Sequence, residues 1–403
     1  MIEPNRTGGP RTLIVVENLS VPFDRRVWQE SLALTQAGHR VIVICPRGVD
    51  RDREREVEID GVRILRYEPR TSPGGALGFA IEYCVALWRT ARLALRLGRF
   101  GVVQVCNPPD LLFLVALPLR LRGAAVVFDQ HDLAPELYLT RFGDRRGVIY
   151  RALRLLERLT YRAADVVVVT NKSQRAEAIA RGGKAPDRVF VVRNAPPLER
   201  FRAGPPEWRL RRGKPHLLCY VGMMGPQDGV DYALRALAHL RDAGRVDWHA
   251  AFVGAGDALD DLRRLSAESG LDGLVSFPGL LGEADVLRYL STADVCLAPE
   301  PSNALNDASS MIKVVEYMAV ERPIVAFDLP ETRYSADEAA LYATPNDEAE
   351  FASLVARLLD DPEERQRRGA QGRQRLERSL SWDRSRVALL EAHAAAIAAR
   401  RGD

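Results

Sequence analysis

The sequence has little of what would mark a membrane, secreted or metal-clustered protein. No stretch approaches the roughly 18 uninterrupted apolar residues of a membrane span. Residues 1–11 are polar, contain Gly and Pro, and lack the apolar centre of a signal peptide. Five cysteines, Cys45, Cys84, Cys106, Cys219 and Cys296, are scattered through 403 residues, and no pair has zinc-ligand or C-x-x-C spacing. They read as buried, reduced thiols in a reducing compartment. The net charge of +3 is too small for this length to argue for nucleic acid as a partner. Together these absences predict a cytoplasmic chain. No D-x-D pair stands at a predicted strand end. Asp260-Asp261 and Asp360-Asp361 fall in charged helical or turn-like stretches, where solvation is the default, so no metal is expected. No G-x-G-x-x-G follows the first predicted strand, which continues E-N-L-S-V-P (17–22), and this argues against a dinucleotide-dependent dehydrogenase.

What is present is a soluble globular composition, 47% hydrophobic and 28% charged, in a chain longer than one core usually supports. Short β-branched runs alternate with amphipathic stretches. Strands are predicted over 12–16, 41–45, 102–105, 125–128, 166–170 and 189–192. They are predicted again over 217–221, 248–253, 274–277, 295–298 and 324–327. A helix over Arg25–Ala37 is closed by Gly38, and a last helix spans Trp382–Arg400. Continuous apolar strands separated by helices predict parallel sheets covered on both faces. The stretch 194–214 interrupts the series with Pro196, Pro197, Gly204, Pro205, Pro206 and Gly213, a linker composition. The reading is therefore α/β, with two successive doubly wound domains whose strands end at a cleft. Their bounds are 1–195, a linker over 196–214, a second domain over 215–380, and a C-terminal helix over 381–403 packing back on the first.

Several residues carry a chemical and a bland reading side by side. Lys313 and Glu316 share the face of a helix predicted to begin near Ile312. Ser309, Ser310 and Met311 stand at its N-terminus, where unpaired N–H groups and a partial positive charge suit a diphosphate. The alternative is a surface ion pair. His131 follows the strand at 125–128, where open sheets present functional groups, or it bonds locally. Asp24, Arg25 and Arg26 open the first helix as a phosphate clamp, or Asp24 is its N-cap. Asp132 and Glu136 are acceptor ligands or a helix start. Gly254 and Gly256 let the backbone approach a ligand or form a tight turn.

Six segments in order resemble glycosyltransferase family 4: residues 18–39, 106–112 (CNPPDLL), 128–138 (FDQHDLAPELY), 220–232 (YVGMMGPQDGVDY), 252–257 (FVGAGD) and 309–328 (SSMIKVVEYMAVERPIVAFD). The resemblance covers nearly the whole chain. It implies the GT-B fold, two Rossmann-like domains facing across a cleft, with acceptor binding in the first and a nucleotide sugar in the second. It implies retaining transfer without a cofactor. His131 would meet the donor sugar, Lys313 the diphosphate and Glu316 the ribose hydroxyls, and these three are the catalytic candidates. Gly222, Met223, Met224, Gln227, Asp228, Gly254, Gly256, Gly279, Leu280, Ser309, Ser310, Met311 and Ile312 would complete the donor site. Asn107, with Asp24, Arg25, Arg26, Asp132 and Glu136, would serve the acceptor or clamp phosphate.

Two departures stand out. The first Glu of the family's E-x7-E pair is replaced by Ala308, beside Asp307. The Arg and Lys that lie on the donor diphosphate are replaced by Met223 and Asp228. These departures raise the alternative of a catalytically inactive GT-B partner subunit; a nucleotide-sugar epimerase sharing the GT-B architecture is a further alternative, against which the motifs at 309–328 argue. The partners implied are a nucleotide-sugar donor, foremost a UDP-sugar, and a hydroxyl acceptor, either a lipid-linked sugar or a small molecule, in cell-envelope, exopolysaccharide or natural-product synthesis. The basic amphipathic stretches Ala86–Phe100 and Arg145–Arg162 either cover the sheet with arginines outward or rest on an anionic membrane at its inner face.

Overall fold

The computed structural model describes residues 9–48, 52–69, 75–143 and 145–402. Two compact units divide them. The first comprises residues up to Leu139, Asp144–Arg193 and Ser385–Asp403; the second comprises Thr140–Gly143 and Asn194–Arg384.

In chain order the first unit begins β1 (Arg11–Val15), α1 (Arg25–Gln36), β2 (Arg40–Pro46), β3 (Glu56–Ile59), β4 (Val62–Tyr67), α2 (Gly75–Arg96), β5 (Val102–Cys106) and α3 (Phe113–Arg120). It continues with β6 (Ala125–Gln130), α4 (Ala134–Phe142), α5 (Val148–Ala163), β7 (Val166–Val169), α6 (Lys172–Ala180) and β8 (Val189–Val191). These strands form an eight-stranded sheet in the order β3-β4-β2-β1-β5-β6-β7-β8. All described pairings are parallel except the β3–β4 hairpin at one edge. That hairpin corrects the expectation of a purely parallel sheet. Its strand β3 reads E-V-E-I, with both glutamates exposed, so it lacks the apolar run that marks the inner strands. The inner strands β5, β6 and β7 are buried at every residue.

The second unit holds β9 (His216–Val221), α7 (Val230–Asp242), β10 (Trp248–Val253), α8 (Leu259–Glu268), β11 (Val275–Gly279), α9 (Glu283–Thr292) and β12 (Val295–Ala298). There follow α10 (Ile312–Ala319), β13 (Ile324–Phe327), α11 (Pro330–Ala336), β14 (Ala340–Ala343), α12 (Glu348–Asp360) and α13 (Pro362–Arg375). Its six strands run parallel in the order β11-β10-β9-β12-β13-β14. Side-chain alternation along β9 divides the core: Leu218 and Tyr220 join one apolar cluster, and Leu217 and Cys219 join the other. Both faces are covered, as two-sided apolar strands require.

The Pro- and Gly-rich segment 194–214 belongs to the second unit and is not a free tether. Phe201 is buried in the cluster with Leu217 and Cys219. The Gly204 amide donates to Ser291 Oγ at 2.9 Å, and the Glu207 amide to Thr292 Oγ1 at 2.8 Å. The last helix, α14 (Trp382–Arg401), lies with the first unit from Ser385 onward and buries Leu389, Ala392, His393 and Ala396 there. Four cysteines are buried, but Cys84 on α2 is exposed, because it falls outside the stripe that covers the sheet.

Candidate functional site

In the first unit the functional side chains gather beyond the carboxyl ends of β5 and β6. Asn107 follows β5 and is buried. Its Oδ1 accepts from the backbone N–H of His131 at 2.7 Å and of Asp132 at 3.2 Å, and its Nδ2 donates to Asp132 O at 2.8 Å and Asp110 Oδ1 at 3.0 Å. With all these bonds turned inward, Asn107 shapes the loop that carries His131. This corrects its assignment as an acceptor ligand.

The His131 ring, 13% exposed, bonds through Nε2 to Asp129 Oδ2 at 2.7 Å. Asp129 is the polar exception in the apolar strand β6 and is fully buried. Arg26 donates to its two oxygens at 2.6 and 3.2 Å and to Val192 O at 2.8 Å. The same guanidinium lies 3.1 Å from Glu30 Oε1. Burial alone would raise the Asp129 carboxyl; Arg26 and His131 outweigh it and hold it below the usual carboxylate range. The His131 ring is pulled down by burial and pushed back above its ordinary value by the Asp129 charge and hydrogen bond.

Three assignments change here. Arg26 is buried and paired with Asp129 and Glu30, so it is no phosphate clamp. Asp24 accepts from the Val27 amide at 3.1 Å and is the N-cap of α1. Glu136 pairs with Arg181 at 2.5 Å, in the first turn of α4. Arg25 remains exposed, and Asp132 half-buried with its carboxyl raised by burial. Cys106, Asp129 and His131 bring three ligand-type atoms within 4.8 Å of one another. The set suits a metal poorly: Arg26 already occupies Asp129, and burial pushes the Cys106 thiol well up.

In the second unit the loops after β9, β10 and β11 pack on one another. The Gly222 amide donates to Val253 O, the Met224 amide to Ala255 O, and the Gly254 amide to Gly279 O. A Cβ at Gly254 would lie 1.8 Å from Gly222 O, and one at Gly256 would lie 2.4 Å from Met224 O. The G-x-G is therefore required by loop-to-loop contact. Met224 is fully buried in the core, which removes it from the donor contacts. Asp228 folds back to accept from the Gly225 amide at 2.8 Å. Met223, Leu280 and Ile312 are exposed, and Gln227 is half-buried.

α10 starts at Ile312 with Met311 as an N-cap that has no side-chain bond to the helix. Ser309 Oγ bonds to Leu305 O, and Ser310 Oγ lies 3.5 Å from Glu331 Oε2. Lys313, in the first turn, is buried; its ammonium pairs with Glu300, donates to Tyr220 OH at 3.0 Å and lies 4.4 Å from the centre of the Tyr220 ring. Burial would lower the Lys313 ammonium, and Glu300 outweighs it, so the cation is secured. Glu316 is buried one turn further on.

Sequence reasoning missed Asp129, Glu30, Gln104, His393, Tyr220 and Glu300. Gln104 in V-V-Q-V-C and Asp129 in V-V-F-D-Q were visible as polar residues in apolar strands, a placement that demands a buried partner.

Comparison with known proteins agrees with this architecture. A family model described as "Glycosyl transferase 4-like domain" matches residues 24–195, and one described as "Glycosyl transferases group 1" matches residues 215–361. Glycogen synthase of Mycobacterium tuberculosis is 25% identical over 94% of this chain and 91% of its own. Sucrose-phosphate synthase from Thermosynechococcus elongatus superposes with a TM-score of 0.73 at 18% identity, over 94% of this chain and 96% of that one. Anabaena Alr3699/HepE in complex with UDP-glucose gives 0.71 at 14%, over 95% and 99%. With two parallel-sheet units and both halves matched in order, the chain belongs to the family 4 glycosyltransferases and has the GT-B fold.

Proposed function

We propose that the protein transfers a sugar, with retention at the anomeric carbon and without a metal, from a UDP-sugar to a hydroxyl acceptor. The observation that carries this is Lys313, a buried cation in the first turn of α10, beside the strand-end loop at Gly222. The helix N-terminus adds a partial positive charge. Together they offer a preorganised environment for the diphosphate as negative charge develops on it. This offsets the loss of cations at Met223 and Asp228. Glu316 would hold the ribose hydroxyls, and His131 would meet the sugar. The departing phosphate oxygen would take the acceptor's proton on the same face, so no carboxylate base is assigned. The UDP complex of the Anabaena neighbour supports the choice of base.

Calorimetry with UDP, GDP, ADP and dTDP tests the reading. UDP is expected to bind, and Lys313→Ala and Glu316→Ala each to weaken binding about tenfold, equivalent to about 1.4 kcal/mol. Absence of binding by every nucleotide would favour an inactive GT-B partner subunit.

We assign the acceptor to an anionic membrane surface. No helix among the described residues is long and apolar enough to cross a bilayer. Yet α2 and α5 turn Trp88, Val148, Ile149 and Leu155 outward, alongside exposed Arg92, Arg96, Arg151 and Arg158. Apolar side chains among cations fit an anionic bilayer. A symmetric self-contact would set arginine against arginine. The protein should float with vesicles containing phosphatidylglycerol and stay behind with purely zwitterionic ones; no flotation with either would remove the membrane assignment.

A further inference from the structure

The cluster behind His131 holds more ionisable groups than a structural anchor needs. Arg26 and Glu30 come from α1, Asp129 from β6, and His131 from the loop beyond it. Gln104 on β5 joins them, its Nε2 donating to Glu30 Oε2 at 2.6 Å and to Asp129 Oδ2 at 3.3 Å. Arg26, Glu30, Gln104 and Asp129 are all buried. Ionised Asp129 can only accept, so the proton on His131 Nε2 is fixed by that bond and Nδ1 is the nitrogen whose proton can vary.

The neighbouring titratable groups leave the balance simple. Cys106 on β5 keeps its proton, because burial pushes its thiol well up. His393 on α14 stays neutral, pushed down to about 3 by burial and by His39. Asp24 caps the N-terminus of α1, and Asp132, half-buried, has its carboxyl raised by burial. Arg26 and Asp129 cancel. Two arrangements then leave the core uncharged: Glu30 ionised with an imidazolium at position 131, or Glu30 protonated with a neutral imidazole. Any other combination buries a net charge, which is strongly disfavoured.

We infer that Glu30 and His131 share one proton across Asp129, which makes Glu30, fully buried on α1, a positioning residue that sets the charge of the His131 ring. The proton resides either on His131 Nδ1 or on the Glu30 carboxyl. Burial pushes that carboxyl up to about 8 against the pull of Arg26, so both arrangements lie within reach of neutral pH. The last helix takes part. The neutral His393 ring, through Nε2 at 2.9 Å from Gln104 Oε1, orients that amide so that its N–H groups face the two carboxylates. The consequence for catalysis rests on the transferase reading, in which His131 meets the sugar: an imidazolium and an imidazole there would respond oppositely to pH.

The test is a pH titration of the full chain, selectively labelled with 15N-histidine and followed by NMR, with the His131 resonance identified by its loss in His131→Asn. In the wild type the curve should spread over more than about two pH units, as coupled sites do. In Glu30→Gln it should contract to a single-site curve and move down by at least about one unit, since an imidazolium would then be an uncompensated buried charge. Gln104→Met, which removes the donor to the Glu30 carboxylate, should move it in the same direction by less. A wild-type curve of single-site shape, or a Glu30→Gln curve superimposed on the wild type, would overturn the inference. If Glu30→Gln does not fold, the wild-type curve shape and Gln104→Met decide. Nucleotide binding, measured separately by calorimetry, reports on the transferase reading alone.

Discussion

Both units place charged side chains in or just beyond the carboxyl ends of parallel strands, and they treat them differently. In the first unit Arg26 spends its guanidinium on Asp129, Glu30 and a backbone carbonyl, and Gln104 is held from both ends, by His393 and by the carboxylates. In the second unit Lys313 has one carboxylate, one phenol and one aromatic face, and Glu300 keeps its Oε2 buried without a hydrogen-bond partner among the described residues. Glu30 Oε1 also lacks a hydrogen bond among the described residues, but it lies 3.1 Å from the Arg26 guanidinium, so each carboxylate oxygen of the first cluster meets a donor or a cation, and such a network holds one geometry. A pair with an unanswered oxygen is the kind of contact that an incoming anion can compete with. The first cluster therefore holds His131 in one place whichever group carries the proton, and the second is where the proposed diphosphate would exchange with a protein carboxylate.

The contrast predicts unequal costs of damage. Asp129→Ala leaves the buried Arg26 guanidinium without the carboxylate that takes two of its hydrogen bonds. Breaking a buried pair in this way costs about 3–5 kcal/mol, so the variant should unfold at markedly lower urea concentration, or fail to fold. A loss below about 1 kcal/mol would mean that the cluster is hydrated and tolerant, and the distinction between the units would lapse.

Much of this fold was legible because its signals are local. Apolar strands such as VVVV at 166–169 and IVAF at 324–327 announce themselves, and Asp24 before a helical pattern is a recognisable cap. Strands β3, β4 and β14 were missed: E-V-E-I carries too much charge, V-R-I-L-R-Y breaks its apolar run with two arginines, and A-L-Y-A favours a helix as readily as a strand. For the candidate site, motif position singled out His131 and Lys313 but not their partners. Asp129 and Arg26 are 103 residues apart, and Gln104 and His393 are 289 apart. No spacing rule connects such residues, because tertiary folding alone brings them together. The same blindness explains the reversal at Arg26. Two adjacent arginines at a helix start look equivalent in sequence, yet the helix turns Arg26 inward to Asp129 and leaves Arg25 exposed.

The smaller and more discriminating perturbation is Glu300→Gln. Glutamine preserves the shape of the side chain, and its carbonyl oxygen can still accept from Lys313, but the counter-charge is gone. The unliganded protein should then lose about 1–2 kcal/mol, since a hydrogen bond to an ion is worth more when its partner is also charged. A diphosphate should gain what the carboxylate no longer contests: Lys313 need not leave an anion to meet it, and one buried negative charge has been removed from its neighbourhood. UDP binding measured by calorimetry is expected to strengthen about tenfold, near 1.4 kcal/mol. If Glu300→Gln instead weakens UDP about tenfold, Glu300 is itself a donor ligand rather than a competitor. The second unit would then hold its cation as firmly as the first holds Arg26, and exchange at Lys313 would no longer separate them.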